Sequence, residues 1–123
     1  MTEFRGRVFM GIAVLLGIVM IGGGAAKLLG QSGQIAAFAR WGLPPWFRAL
    51  VGTFEVVGGI GLVLPASRPA GSIILATIMV GALWAHAANG EYPDLIPAAV
   101  LLALFLAIFQ RNRTRAIQLL GGA

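Results

Sequence analysis

Apolar residues run along this chain in long blocks, and the polar residues gather between the blocks. Three blocks, 8–29, 46–64 and 70–88, approach the roughly 20 residues that a helix needs to cross a bilayer. The second is interrupted only by Arg48 and Glu55, and the first and third carry Lys27 and His86 near their ends. A fourth block, 95–109, is uncharged but only 15 residues long. It reaches span length by extending to about 94–110, or else it thins the bilayer locally. The pattern therefore predicts an all-α membrane protein, one domain over 1–123, built as an antiparallel four-helix bundle.

The connections differ. "LPASRPAG" (64–71) and "NGEYPDLIP" (89–97) are short, proline- and glycine-punctuated turns. Asn89-Gly90 is suited to end the third helix and Asp94 to cap the fourth. The first connection, 31–47, is longer. Its Ile35, Phe38 and Trp41 recur every three residues, which predicts a short helix lying in the membrane interface and closed by Gly42 and Pro44-Pro45. Trp41 and Trp46 then sit at head-group depth.

Helical periodicity also gathers the glycines. Gly17, Met20, Gly24 and Lys27 share one face of the first helix, and Gly52, Glu55, Gly59 and Leu62 one face of the second. In lipid, apolar burial no longer drives helices together, so small residues that allow close approach mark the contact. The two stripes are expected to face each other or a shared interior.

Composition sharpens this picture. Of 123 residues, 59% are hydrophobic and only 11% charged, about half the charged share of a soluble domain. The net charge of +5 could suggest nucleic acid, but its placement argues for topology. Arg5, Arg7, Arg68, Arg111, Arg113 and Arg115 fall on one side of four spans, against Arg40 and Arg48 on the other. The positive-inside rule puts both termini in the cytoplasm. Two arginines, an apolar run and "GGGAA" resemble a signal peptide, but the run is long for one and is read as an uncleaved first helix. Cysteine is absent, which excludes thiol–disulfide exchange and thiolate metal sites. One histidine cannot supply both axial ligands of a two-histidine haem.

Three titratable residues within the spans fall in the outer half of the bundle. Lys27, the only lysine, and His86 lie near outer helix ends, and Glu55 lies about 12 Å in from the outer face. A carboxylate at that depth usually faces an interior and marks a site. Lys27 could instead snorkel, and the Lys27–Glu55 pair could simply fix helix register. Glu91 and Asp94 read as solvated turn and cap residues, and the 86, 91, 94 spacing matches no established metal-ligand pattern, so no metal is assigned.

"GGGAAKLLG", then "WGLPPWFRALVGTFEVVGGIGLVLP", then "AHAANGE" resemble the DoxX-like family of small four-helix bacterial membrane proteins. The K-L-x-G, G-L-P and E-x-x-G-G-x-x-L patterns carry the resemblance, in that order. It implies the four-helix membrane fold and a bacterial cytoplasmic-membrane location. Members include the small membrane subunit of a thiosulfate:quinone oxidoreductase and partners of redox assemblies, and remote relatives act as assembly or cargo chaperones. The family's charged positions correspond to Lys27 and Glu55, and less securely to His86.

Two functional classes follow. In one, the chain is a quinone-interacting subunit of a membrane oxidoreductase. Lys27 or His86 hydrogen-bonds a quinone carbonyl, Glu55 relays a proton, Trp41 and Trp46 complete the pocket, and a partner subunit supplies electrons. In the other, the chain is a non-enzymatic scaffold or chaperone that offers its glycine-rich faces and the 31–47 connector to another membrane protein. A transporter ranks below both, because no inverted repeat is visible.

Overall fold

The computed structural model describes residues 2–121, with side chains through residue 113. Arg115, counted above with the basic face, lies outside the described side chains. The chain is all-α: α1 (Thr2–Leu29), α2 (Ser32–Arg40), α3 (Pro45–Val63), α4 (Arg68–Ala88) and α5 (Leu95–Gly121). Four of these helices are long and apolar enough to cross a membrane. Both terminal helices outrun the apolar blocks that predicted them. Charged residues such as Arg5, Arg7 and Arg111 are good helix formers, so the helices continue beyond their apolar stretches. The helical segment around the fourth block, Tyr92–Arg113, is 22 residues long and so has the length to cross a bilayer.

α3 packs against α1 on one side and α4 on the other, and α5 packs against α4. Glycine sets the α1–α3 contact. Gly17 lies opposite Gly59 and Gly24 opposite Gly52, as the antiparallel register requires. A Cβ on Gly17 would fall 2.7 Å from the Gly59 carbonyl oxygen, and one on Gly24 would fall 2.6 Å from that of Gly52. The backbones therefore touch, and the two predicted stripes face each other. α3 turns a second glycine face to α4, where a Cβ on Gly71 would lie 2.6 Å from the Gly58 carbonyl oxygen. Toward the other end, Leu62, Leu75, Phe105 and Ile108 bury completely or nearly so among α1, α3, α4 and α5.

Arg68, counted above with the arginines of one side, opens α4. It is buried, donating from Nε to the Leu62 carbonyl at 2.7 Å and from Nη2 to the Val63 carbonyl at 2.8 Å. The last carbonyls of α3 have no partner within their own helix, and a cation there also meets the negative end of the helix dipole.

α1, α2 and α4 all close with the same pair of bonds. At α4, Glu91 N–H donates to the His86 carbonyl at 2.8 Å and Gly90 N–H to the Ala87 carbonyl at 3.3 Å. This is the Schellman closure, and it needs a left-handed residue, supplied by Gly90 at φ 71°. The closure folds the chain back over the last turn of α4. Glu91 therefore comes to rest beside His86.

Candidate functional site

Two carboxylates organise the polar residues at this end of the molecule. Glu55 is almost fully buried on α3, and its Oε1 lies 2.9 Å from the Lys27 ammonium. The glycine contact explains how lysine reaches it. A Cβ on Gly52 would fall 2.9 Å from Lys27 Cβ, so the lysine stem crosses α3 where α3 has no side chain. One turn further along, Glu55 meets the ammonium. The Lys27 side chain keeps 14% of its exposure and that of Glu55 only 5%. Such a pair is costly to form away from water and more costly to break from one side.

Glu91 gathers three donors from two elements. Arg40 Nε, at the end of α2, reaches its Oε2 at 2.7 Å. The indole N–H of Trp41 donates to Oε1 at 3.0 Å, and His86 Nδ1 lies 2.8 Å from the same oxygen. These donors, His86 first and then Arg40 and Trp41, hold the Glu91 carboxyl down at about 2. An ionised carboxylate only accepts, so the proton on this bond belongs to His86 Nδ1. The Trp41 ring stands edge-on to the His86 ring at 5.4 Å, with Phe38 5.1 Å from Trp41 on the other side.

Both clusters meet a single cavity of about 650 Å³ among α2, α3 and α4. Lys27, Glu55, Trp41 and His86 line it together with apolar side chains such as Phe38 and Phe47. Glu91 is not among its lining residues; it acts on the cavity through Trp41 and His86. Trp46 does not join them. It is exposed, with its ring edge-on to Phe47 at 5.8 Å. Asp94 lines the cavity and comes close to His86 and Glu91, with ligand atoms of the three within 4.8 Å of one another. Both Glu91 oxygens are already held by donors, one of them a guanidinium, which disfavours a cation there.

The model of the DoxX-like family matches residues 11–108. The chain belongs to that family. The matched range contains every residue of both clusters and of the cavity. No curated protein and no solved structure matches the chain.

Among the predicted site residues of this DoxX-like chain, the structure joins Lys27 to Glu55 directly and brings Trp41 and His86 together through Glu91. Sequence reasoning missed Glu91 as an organising residue and Arg40 as its partner. The signal for Glu91 was present in "HAANGE". A glycine closing a helix places the next residue over the carbonyl five positions back, here that of His86. Nothing comparable pointed to Arg40, which is brought in by the fold of α2.

Proposed function

We propose that the protein binds the ring of a membrane-soluble quinone in this cavity, as one subunit of a membrane oxidoreductase whose partner supplies the electrons. In this reading α1, α3, α4 and α5 span a bacterial cytoplasmic membrane as an antiparallel bundle, both termini lie in the cytoplasm, and α2 lies in the outer interface. The observation that carries the proposal is one cavity, largely apolar, with an ammonium–carboxylate pair and an oriented imidazole on its lining. Its volume falls in the range of small-molecule sites, and few polar groups in an apolar lining are what fix a ligand's orientation. Lys27 donates to a quinone carbonyl, and Glu55, hydrogen-bonded to that same ammonium, carries the proton that accompanies reduction.

The test is binding of a decyl-substituted benzoquinone to the purified protein in lipid nanodiscs. Lys27→Ala and Glu55→Gln should each weaken it about tenfold, the scale of a charge-assisted hydrogen bond. Gly81→Leu should abolish it by filling the cavity, since Gly81 lines it and an added Cβ meets nothing within 4 Å. Affinity unchanged in all three variants overturns the proposal. The scaffold reading has less support, because the faces of Gly17, Gly24, Gly52 and Gly59 are already used between α1 and α3.

A further inference from the structure

We propose that His86, oriented by Glu91, accepts a hydrogen bond from a ligand hydroxyl, so that the cavity favours a lipophilic phenol or hydroquinone over a ligand without that hydroxyl. The inference rests on the reading of the cavity as a site for a quinone-type ring, and it specifies which form of the ring is held.

The two nitrogens of the imidazole have different roles. Nδ1 is committed to Glu91 Oε1 at 2.8 Å, and a carboxylate obliges Nδ1 to carry the proton. In the neutral ring Nε2 is then the free nitrogen, and it bears a lone pair. His86 lines the cavity, so the group it offers a ligand is an acceptor. A quinone carbonyl is also an acceptor and gains nothing there. The hydroxyl of the reduced ring is a donor and fits.

Lys27 supplies the opposite chemistry. Its ammonium donates and never accepts, so it suits a carbonyl or an ether oxygen. The cavity is therefore polarised, with a donor on the α1 side and an acceptor at the end of α4.

Charged groups face His86 from several elements. Glu91 faces Nδ1, with Arg40 on its other oxygen and Trp41 on the shared one, and Asp94 lies close by. Across the cavity Lys27 and Glu55 compensate each other. Glu91 does not line the cavity and touches no ligand. It is a positioning residue that fixes the protonated nitrogen and the plane of the ring, and its hold on Trp41 keeps that indole edge against the imidazole.

The test compares para-dodecylphenol with its methyl ether, which has the same ring and tail but no donor, on the full chain in nanodiscs. The wild type should bind the phenol about tenfold more tightly than the ether. Glu91→Gln should erase that preference, because its amide can donate to Nδ1 and so permits the tautomer with the proton on Nε2. The affinity for the ether should hardly move. His86→Phe, which keeps a ring beside Trp41, should erase the preference as well, and serves if the Glu91 variant does not fold. A merely structural role for Glu91 predicts equal weakening of both probes, which would overturn the positioning role. Equal binding of phenol and ether to the wild type overturns the inference and leaves the quinone reading standing. If neither probe binds and decyl-substituted benzoquinone does not bind either, the quinone reading falls and takes this inference with it.

Discussion

Glu55 and Glu91 are both carboxylates in an apolar protein, and both are paired, yet they are held in opposite ways. Glu55 is buried in the interface between α1 and α3, where glycines bring two backbones into contact, and it meets one cation. Glu91 stands at a turn, keeps more exposure, and takes three donors from the end of α2 and the end of α4. The comparison separates two uses of a charge. At Glu55 the scaffold fixes the charge, and removing the partner strands it. At Glu91 the charge fixes its surroundings, and removing it frees two rings that line the cavity.

The largest effect should come from separating the first pair. Lys27→Met leaves the Glu55 carboxylate buried without its cation and should destabilise the protein by about 3 kcal/mol or more. Glu55→Gln should cost less, because Lys27 retains some exposure and its flexible stem can turn the ammonium toward water. The double variant, Lys27→Met with Glu55→Gln, should recover much of the loss. Thermal unfolding of the four proteins in detergent checks the order, and equal losses from the two single variants would remove the asymmetry. Next in size is Gly24→Val. Its added carbon would fall 2.6 Å from the Gly52 carbonyl oxygen and 2.9 Å from the Val56 nitrogen, both backbone atoms. Forcing α1 from α3 should cost about 2 kcal/mol and lengthen the Lys27–Glu55 contact with it.

The same contrast explains what could be read from the chain alone. The α1–α3 contact was readable because one helical period places Gly17, Gly24 and Lys27 on one face, and Gly52, Glu55 and Gly59 on another. Two stripes with matching spacing and opposite charge can be matched without knowing the rest of the fold. The Glu91 cluster was not readable in that way. Arg40 and Glu91 are 51 residues apart, on a short helix and a turn whose relative placement no periodicity encodes. The burial of Arg68 was unreadable for a related reason. Its place between two apolar blocks says nothing about the free carbonyls of α3 that draw the guanidinium inward. The helix ends were underestimated because apolarity marks where a helix can sit in lipid, and helix propensity marks where it can continue.

Smaller effects should follow from loosening Glu91, and pH is the gentlest way to do so. The carboxyl is held at about 2 against an ordinary 4.5, because its donors favour the charged form. A group depressed in the folded protein contributes fully above its unfolded value and loses that contribution as pH falls through its folded value. The links to Arg40, Trp41 and His86 should therefore persist through pH 4.5 and release only near pH 2. Trp41 fluorescence reports this when Trp46 and Trp84 are replaced by Phe. Arg40→Gln, which removes one donor, should move the transition toward higher pH. A transition already centred near 4.5 in the parent protein would show that the three donors do not act on Glu91 together.

The smallest effect should come from Trp46, and its smallness is informative. Trp41 and Trp46 look alike in the sequence, both indoles flanking the start of α3 beside a glycine–proline turn. In the folded chain Trp41 lines the cavity and donates to Glu91, whereas Trp46 is 68% exposed and touches the ring of Phe47. An exposed indole on a helix that enters a bilayer is suited to the head-group region, and there Phe retains most of its apolar contact while losing only the N–H. Trp41→Phe should therefore weaken binding of para-dodecylphenol several-fold, because the indole N–H to Glu91 is lost and His86, which accepts from the phenol hydroxyl, loses a neighbour fixed in place. Trp46→Phe should change the same affinity by less than about twofold, within the usual range for a surface substitution. Equal losses in the two variants would mean that the ligand extends over the first turn of α3. The cavity's polar lining would then be one end of a longer site, and Glu91 would orient only that end.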